Sequence, residues 1–176
     1  MQRAIVKLLP LFFGVPLLGV PALASAERIQ ATLSGYEEVP AVSTLASGEF
    51  RGTISPDETS IDYELTYSGL QGGVTQAHIH FGQASVNGGV VVWLCGTAAT
   101  PGPLGTPSCP VPSGTVSGTI MAGQVCAALC GATQQIGAGE LGEVIAAIRA
   151  GRAYANVHTT LSPGGEIRGQ IRGSSR

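Results

Sequence analysis

Lysine is all but absent from this chain: Lys7 is the only one, and Asp, Glu, Lys and Arg together make up 11% of its 176 residues. A nucleic-acid surface needs clustered Lys and Arg, and an anionic membrane surface needs the same, so neither partner is expected. Beyond residue 26 no apolar run approaches the length that crosses a bilayer. No Cys-x-x-Cys pair offers a zinc-knuckle spacing. Gly-rich stretches such as Gly137-Ala138-Gly139 lack the Lys-Ser/Thr of a phosphate loop. No Ser-His-Asp or Cys-His spacing supports a nucleophile. Histidine is scarce too, with three in the whole chain: His78, His80 and His158.

What is present begins with a leader. Arg3 and Lys7 precede an apolar stretch from Leu8 to Val20, interrupted by Pro10 and Pro16, and Ala24-Ser25-Ala26 forms a small-x-small cleavage site. Residues 1–26 are therefore predicted to be a signal peptide, and residues 27–176 one secreted or periplasmic domain. No cysteine stands at the cleavage point, so a lipid anchor is not expected. Removing the leader leaves seven arginines against eleven acids, a net charge of −4. Cys95, Cys109, Cys126 and Cys130 all lie in the exported part, where an even count reads as two disulfides. Of the three pairings, Cys95–Cys109 and Cys126–Cys130 close short local loops; a zinc site is the rival reading.

Alternation of apolar and polar residues marks strands over Arg28–Gly35, Gly48–Ile54, Ser60–Tyr67, Val74–Phe81, Gly114–Met121, Arg152–Thr159 and Glu166–Arg172. Val90–Cys95 is apolar on both faces and is expected to be a central, buried strand. Gly96–Pro112 reads as a long surface loop pinned by Cys95 and Cys109. A short helix or turns are expected near Val125–Leu129, and Leu141, Val144, Ile145 and Ile148 space one amphipathic helix that ends at Gly151. About eight short strands with one short helix imply an all-β Greek-key sandwich or barrel.

Four segments carry a family resemblance: Leu33-Ser34-Gly35-Tyr36-Glu37-Glu38-Val39-Pro40; Ala77-His78-Ile79-His80-Phe81-Gly82; Gly151-Arg152-Ala153-Tyr154-Ala155-Asn156-Val157-His158-Thr159; and Pro163-Gly164-Gly165-Glu166-Ile167-Arg168-Gly169-Gln170. In this order they resemble the CHRD domain, the module named after animal chordin and widespread in bacterial secreted proteins. The resemblance spans about Ile29 to Ile171. It implies a β-sandwich of immunoglobulin-like type and an extracellular setting. It does not carry over growth-factor sequestration, because the cysteine-rich modules that accompany the domain in chordin are missing.

His78 and His80 stand two apart on one predicted strand, so both project from one face, with Ile79 pointing the other way. His158 falls on the polar face of another strand, beside Asn156. If the two strands are neighbours, the three can converge on one ion. Imidazole suits copper and zinc, and three His with an open position is a catalytic arrangement. Glu38, Glu166 or a water are weaker candidates to complete the shell. The His-x-His run also resembles the copper strand of copper/zinc superoxide dismutases, but those sites need more histidines than this chain has. The N-terminal histidine of copper monooxygenases is absent as well. Against the metal stands a structural reading, in which the histidines hydrogen-bond backbone carbonyls and pin loops. Adjacent carboxylates such as Glu37 and Glu38 point apart and make a poor acid–base pair. Glu166 and Arg168 are expected as a pair on the solvent face, and Trp93 and Tyr154 as packing residues. The functional expectation is an exported binding or structural module with an extracellular protein or small ligand as partner, its histidines either structural with no cofactor or holding copper or zinc. A redox metalloenzyme at the same site and an adhesion or matrix component are the alternatives.

Overall fold

The computed structural model describes residues 25–126, 130 and 134–173. The expected leader, up to residue 24, lies outside the described residues, as do 127–129 of the expected Val125–Leu129 helix. Just before that segment, Ala122–Gln124 form a single 3-10 turn.

Among the described residues nine strands form one antiparallel sheet: β1 (Glu27–Ser34), β2 (Ser47–Ile54), β3 (Ser60–Ser68), β4 (Val74–Phe81), β5 (Gly89–Gly96), β6 (Gly114–Met121), β7 (Ala153–Thr159), β8 (Ile167–Gln170) and β9 (Arg172–Gly173). Among the described residues the one α-helix, α1 (Leu141–Arg149), buries Leu141, Val144, Ile145 and Ile148, the i, i+3, i+4, i+7 stripe of an amphipathic helix. Period two governs the strands: in β3, Ile61, Tyr63, Leu65 and Tyr67 point into the core and the residues between them face solvent or nearly so. The expected last strand, Glu166–Arg172, is split in two. β8 pairs with β7 and touches β1 through Ser34 and Arg168, and after Ile171 the chain continues as β9 along β1.

The strand order is β5-β4-β7-β8-β1-β2-β3-β6, a nearly closed barrel. This corrects the expectation for β5, which is terminal rather than central. Its apolar residues are buried because other parts of the chain close over its free edge. Val125 bridges Val92, Cys126 N–H donates to the Val91 carbonyl, Ser108 bridges Gly96, and the Tyr63 hydroxyl donates to the Leu94 carbonyl at 2.6 Å. Disulfides join Cys95 to Cys109 and Cys126 to Cys130. The first holds the loop that runs over β5.

The two halves of the barrel wear different coats. On β1, β2, β3 and β6 the outward residues, Arg28, Arg51, Glu64 and Ser117 among them, are exposed. On β7 every residue is buried. Its inward side, Ala153, Ala155 and Val157, packs in the core. Its outward side, Tyr154, Asn156 and His158, is polar and is closed over by loops.

Candidate metal centre

β4 and β7 are direct neighbours, with Gln76 opposite His158, His78 opposite Asn156 and His80 opposite Tyr154. This register sets His158 diagonal to His78 on one face, within reach of long or ring side chains. The ring centroids of His78 and His158 lie 4.9 Å apart, those of His78 and His80 5.4 Å, and those of His80 and His158 5.7 Å. One nitrogen from each ring lies within 4.8 Å of the other two. All three side chains are buried, at 2%, 7% and 5% exposure for His78, His80 and His158.

Burial holds the rings neutral. It is the main cause that pulls His78 down to about 2, helped by the neighbouring His158 and His80. It also pulls His80 down to about 4, against the opposing pull of the Gly88 carbonyl. His158 is lowered for the same reason, against the Pro163 carbonyl.

With neutral rings, the hydrogen bonds assign every proton. His158 Nδ1 lies 3.0 Å from the Pro163 carbonyl, which can only accept, so Nδ1 carries the hydrogen and Nε2 the lone pair. That lone pair accepts from His78 Nδ1 at 3.2 Å, so His78 Nε2 is also a lone pair. His80 Nδ1 donates to the Gly88 carbonyl at 3.0 Å, which leaves the lone pair on Nε2. His78 Nε2 and His80 Nε2 are both buried without a hydrogen-bond partner. This leaves unengaged lone pairs on His78 Nε2 and His80 Nε2, with the Nδ1 of His80 and of His158 each fixed by a backbone carbonyl. That is how metal-ligating histidines are oriented.

Aromatic rings wall the set. Trp93, opposite His78 on β5, meets it edge-on at 4.3 Å between centroids. Tyr154 stacks on His80 at 4.7 Å with the planes 4° from parallel. The Arg168 guanidinium lies over the same Tyr154 ring, 3.4 Å from its centre. His78 and Trp93 also line an open cleft of about 520 Å³ with Gln76, Val90, Thr100 and Pro103.

The loop 82–88 between β4 and β5 presents the Gly88 carbonyl to His80. Its conformation requires glycine, since a Cβ at Gly88 would run into the Phe81 carbonyl. Arg168 donates to the carbonyls of Gln83 and Val86 and to Asn87 Oδ1. Asn87 in turn donates to the Val39 carbonyl, and Gly88 N–H donates to the Tyr154 hydroxyl.

The expected Glu166–Arg168 surface pair is corrected here. Both residues are buried, at 1% and 2% exposure, and each serves a different loop. Glu166 accepts from Thr44, Thr159 and the N–H groups of Gln71 and Gly72. Burial alone would raise its carboxyl, but these donors outweigh it and hold it below the usual range. Glu38 is buried while Glu37 is exposed. Its carboxylate accepts from Asn156 Nδ2 at 2.5 Å, and burial, partly offset by Asn156 and Arg168, pushes it up to about 7. Neither carboxylate joins the three-histidine group.

The spacing of the sequence put His78 and His80 on one face. Their meeting with His158 depended on strand adjacency, which only the fold provides. The roles of Tyr154, Trp93, Arg168 and Gly88 were not visible as a site. The one local signal was Asn87-Gly88-Gly89, a turn sequence next to the His-x-His strand.

No curated protein and no solved structure matches the chain. The family model of the CHRD domain matches residues 29–171, from the third residue of β1 to the link between β8 and β9. The chain therefore belongs to the CHRD domain family.

Proposed function

We propose that residues 27–176 form an exported CHRD module that binds one copper or zinc ion through His78, His80 and His158. The observation that carries this reading is the pair of buried, unpartnered lone pairs on His78 Nε2 and His80 Nε2. An unsatisfied buried acceptor costs about 1–3 kcal/mol, and two within one group of three imidazoles invite a Lewis acid. Export is supported by the leader pattern of residues 1–26 and by the two disulfides. The site is then secreted or periplasmic, and the partner an extracellular protein or small ligand.

A redox metalloenzyme at the same histidines is favoured by one observation: His78 lines the open cleft beside Trp93, which gives a small molecule access to one ligand of the ion.

Metal content tests the reading. The protein is purified without a histidine tag beside the His78→Ala/His80→Ala variant, and both are measured by elemental mass spectrometry after exposure to copper and to zinc. The expected result is about one ion per chain, lost in the variant. No ion in the intact protein after reconstitution removes both the metal module and the metalloenzyme.

A further inference from the structure

Resting on the metal reading above, we infer that the ion this site selects is monovalent copper, Cu(I), in preference to a divalent ion. Three observations bear on the charge. The donors are three neutral imidazoles, and no carboxylate or thiolate among the described residues joins them. The two buried carboxylates on this side of the barrel are already engaged, Glu38 by Asn156 and Glu166 by Thr44, Thr159, Gln71 and Gly72. The charged group nearest in the stack of rings is a cation: Arg168 lies over the Tyr154 ring that packs on His80.

The three ligand side chains are also buried, at between 2% and 7% exposure. The cost of taking an ion out of water rises with the square of its charge, so a divalent ion faces about four times the penalty of a monovalent one. Anionic side chains or a bound hydroxide offset that penalty in divalent sites, and among the described residues no anionic side chain joins the three rings here. Imidazole nitrogen suits copper, and a low-coordinate Cu(I) needs no further ligand beyond the three rings. Binding Cu(I) moves no electrons, so no oxidant or reductant takes part in occupying the site.

The test sets Cu(I) against zinc in the purified, disulfide-bonded, untagged protein. Copper reduced by ascorbate is titrated without oxygen against a coloured Cu(I) chelator, and zinc is titrated against a zinc chelator. The expected result is one Cu(I) per chain, held at least about tenfold tighter than zinc, with the X-ray absorption edge of a low-coordinate Cu(I) site. Gln76→Glu places a carboxylate opposite His158, beside the cleft that His78 lines. It is expected to narrow the copper-to-zinc ratio by about tenfold or more. Zinc bound as tightly as Cu(I) by the intact protein overturns the selection for monovalent copper while leaving the metal site standing. Neither ion bound overturns the metal reading as well. A Gln76→Glu protein that is folded, binds both ions and keeps the original ratio overturns the charge argument.

Discussion

Glu166 shows how much one side chain can organise. Its carboxylate reaches three separate stretches of chain: Thr44 in the β1–β2 loop, Gln71 and Gly72 in the β3–β4 loop, and Thr159 at the end of β7. Four donors around one buried anion make it a staple for that pole of the barrel. Glu166→Gln keeps the size but turns one acceptor into a donor among donors, with an expected cost of about 2 kcal/mol; Glu166→Ala leaves the donors unpaired, at about 4 kcal/mol. Urea unfolding of the two variants measures both, and losses under about 0.5 kcal/mol would show that the loops hold without it. At this scale the sequence was a partial guide. The alternation around Ile79 placed His78 and His80 on one face, because side-chain direction in a strand is a local property. The burial of Arg168 and Glu166 is not local: Arg168 lies on the outward face of β8 and Glu166 just before that strand, and both are covered by parts of the chain distant in sequence. A charged residue on an outward face looks the same in sequence whether or not a loop folds over it.

At the scale of elements, the 82–88 loop is held from outside itself. Phe81 and Gly89 anchor its ends in β4 and β5, but its interior carbonyls are met by Arg168 from β8, and the Gly82 carbonyl by Gln170. The loop's contribution to the site, the Gly88 carbonyl on His80, therefore depends on a strand two places away in the sheet. Arg168→Met keeps much of the length and removes the donors. It is expected to cost about 2–4 kcal/mol, within the range for breaking a buried charged network. Amide exchange of Val86 to Gly88 should quicken while that of β2 and β3 stays slow, because those strands pair on the far side of the barrel. Uniform acceleration across the sheet would mean that Arg168 supports the whole fold and not this loop. The strands themselves were legible from alternation, and α1 from its apolar spacing. The position of β5 was not. An apolar run on both faces reports that both faces are covered, and a terminal strand closed over by Val125, Ser108 and Tyr63 meets that condition as well as a central one.

The whole molecule behaves as a barrel with one polar layer trapped between its wall and its loops, and acid should probe that layer directly. The three histidines have folded values below the usual 6.5, down to about 4 for His80 and about 2 for His78. Below pH 6.5 the unfolded chain binds protons that the folded metal-free chain refuses, so stability from these groups is complete above 6.5 and is lost as the pH falls. Glu38 acts in the opposite sense. Its folded value is raised from 4.5 to about 7, so its contribution is complete below 4.5 and is lost as the pH rises through 7. Between pH 4.5 and 6.5 the two effects overlap, with three groups pulling one way and one the other. The metal-free protein is therefore expected to lose stability on going from pH 7 to pH 5. Glu38→Gln removes the opposing contribution and should make that fall steeper, whereas His80→Phe should make it shallower. Denaturant midpoints taken at several pH values resolve the slopes. A fall that Glu38→Gln makes shallower would reverse the sign assigned to this carboxyl and place it ionised in the folded layer. In the presence of bound metal the same descent should be steeper again, because the ion is held only by deprotonated rings and protons compete for them; a descent that metal leaves unchanged would mean that the ion sits somewhere other than among these three histidines.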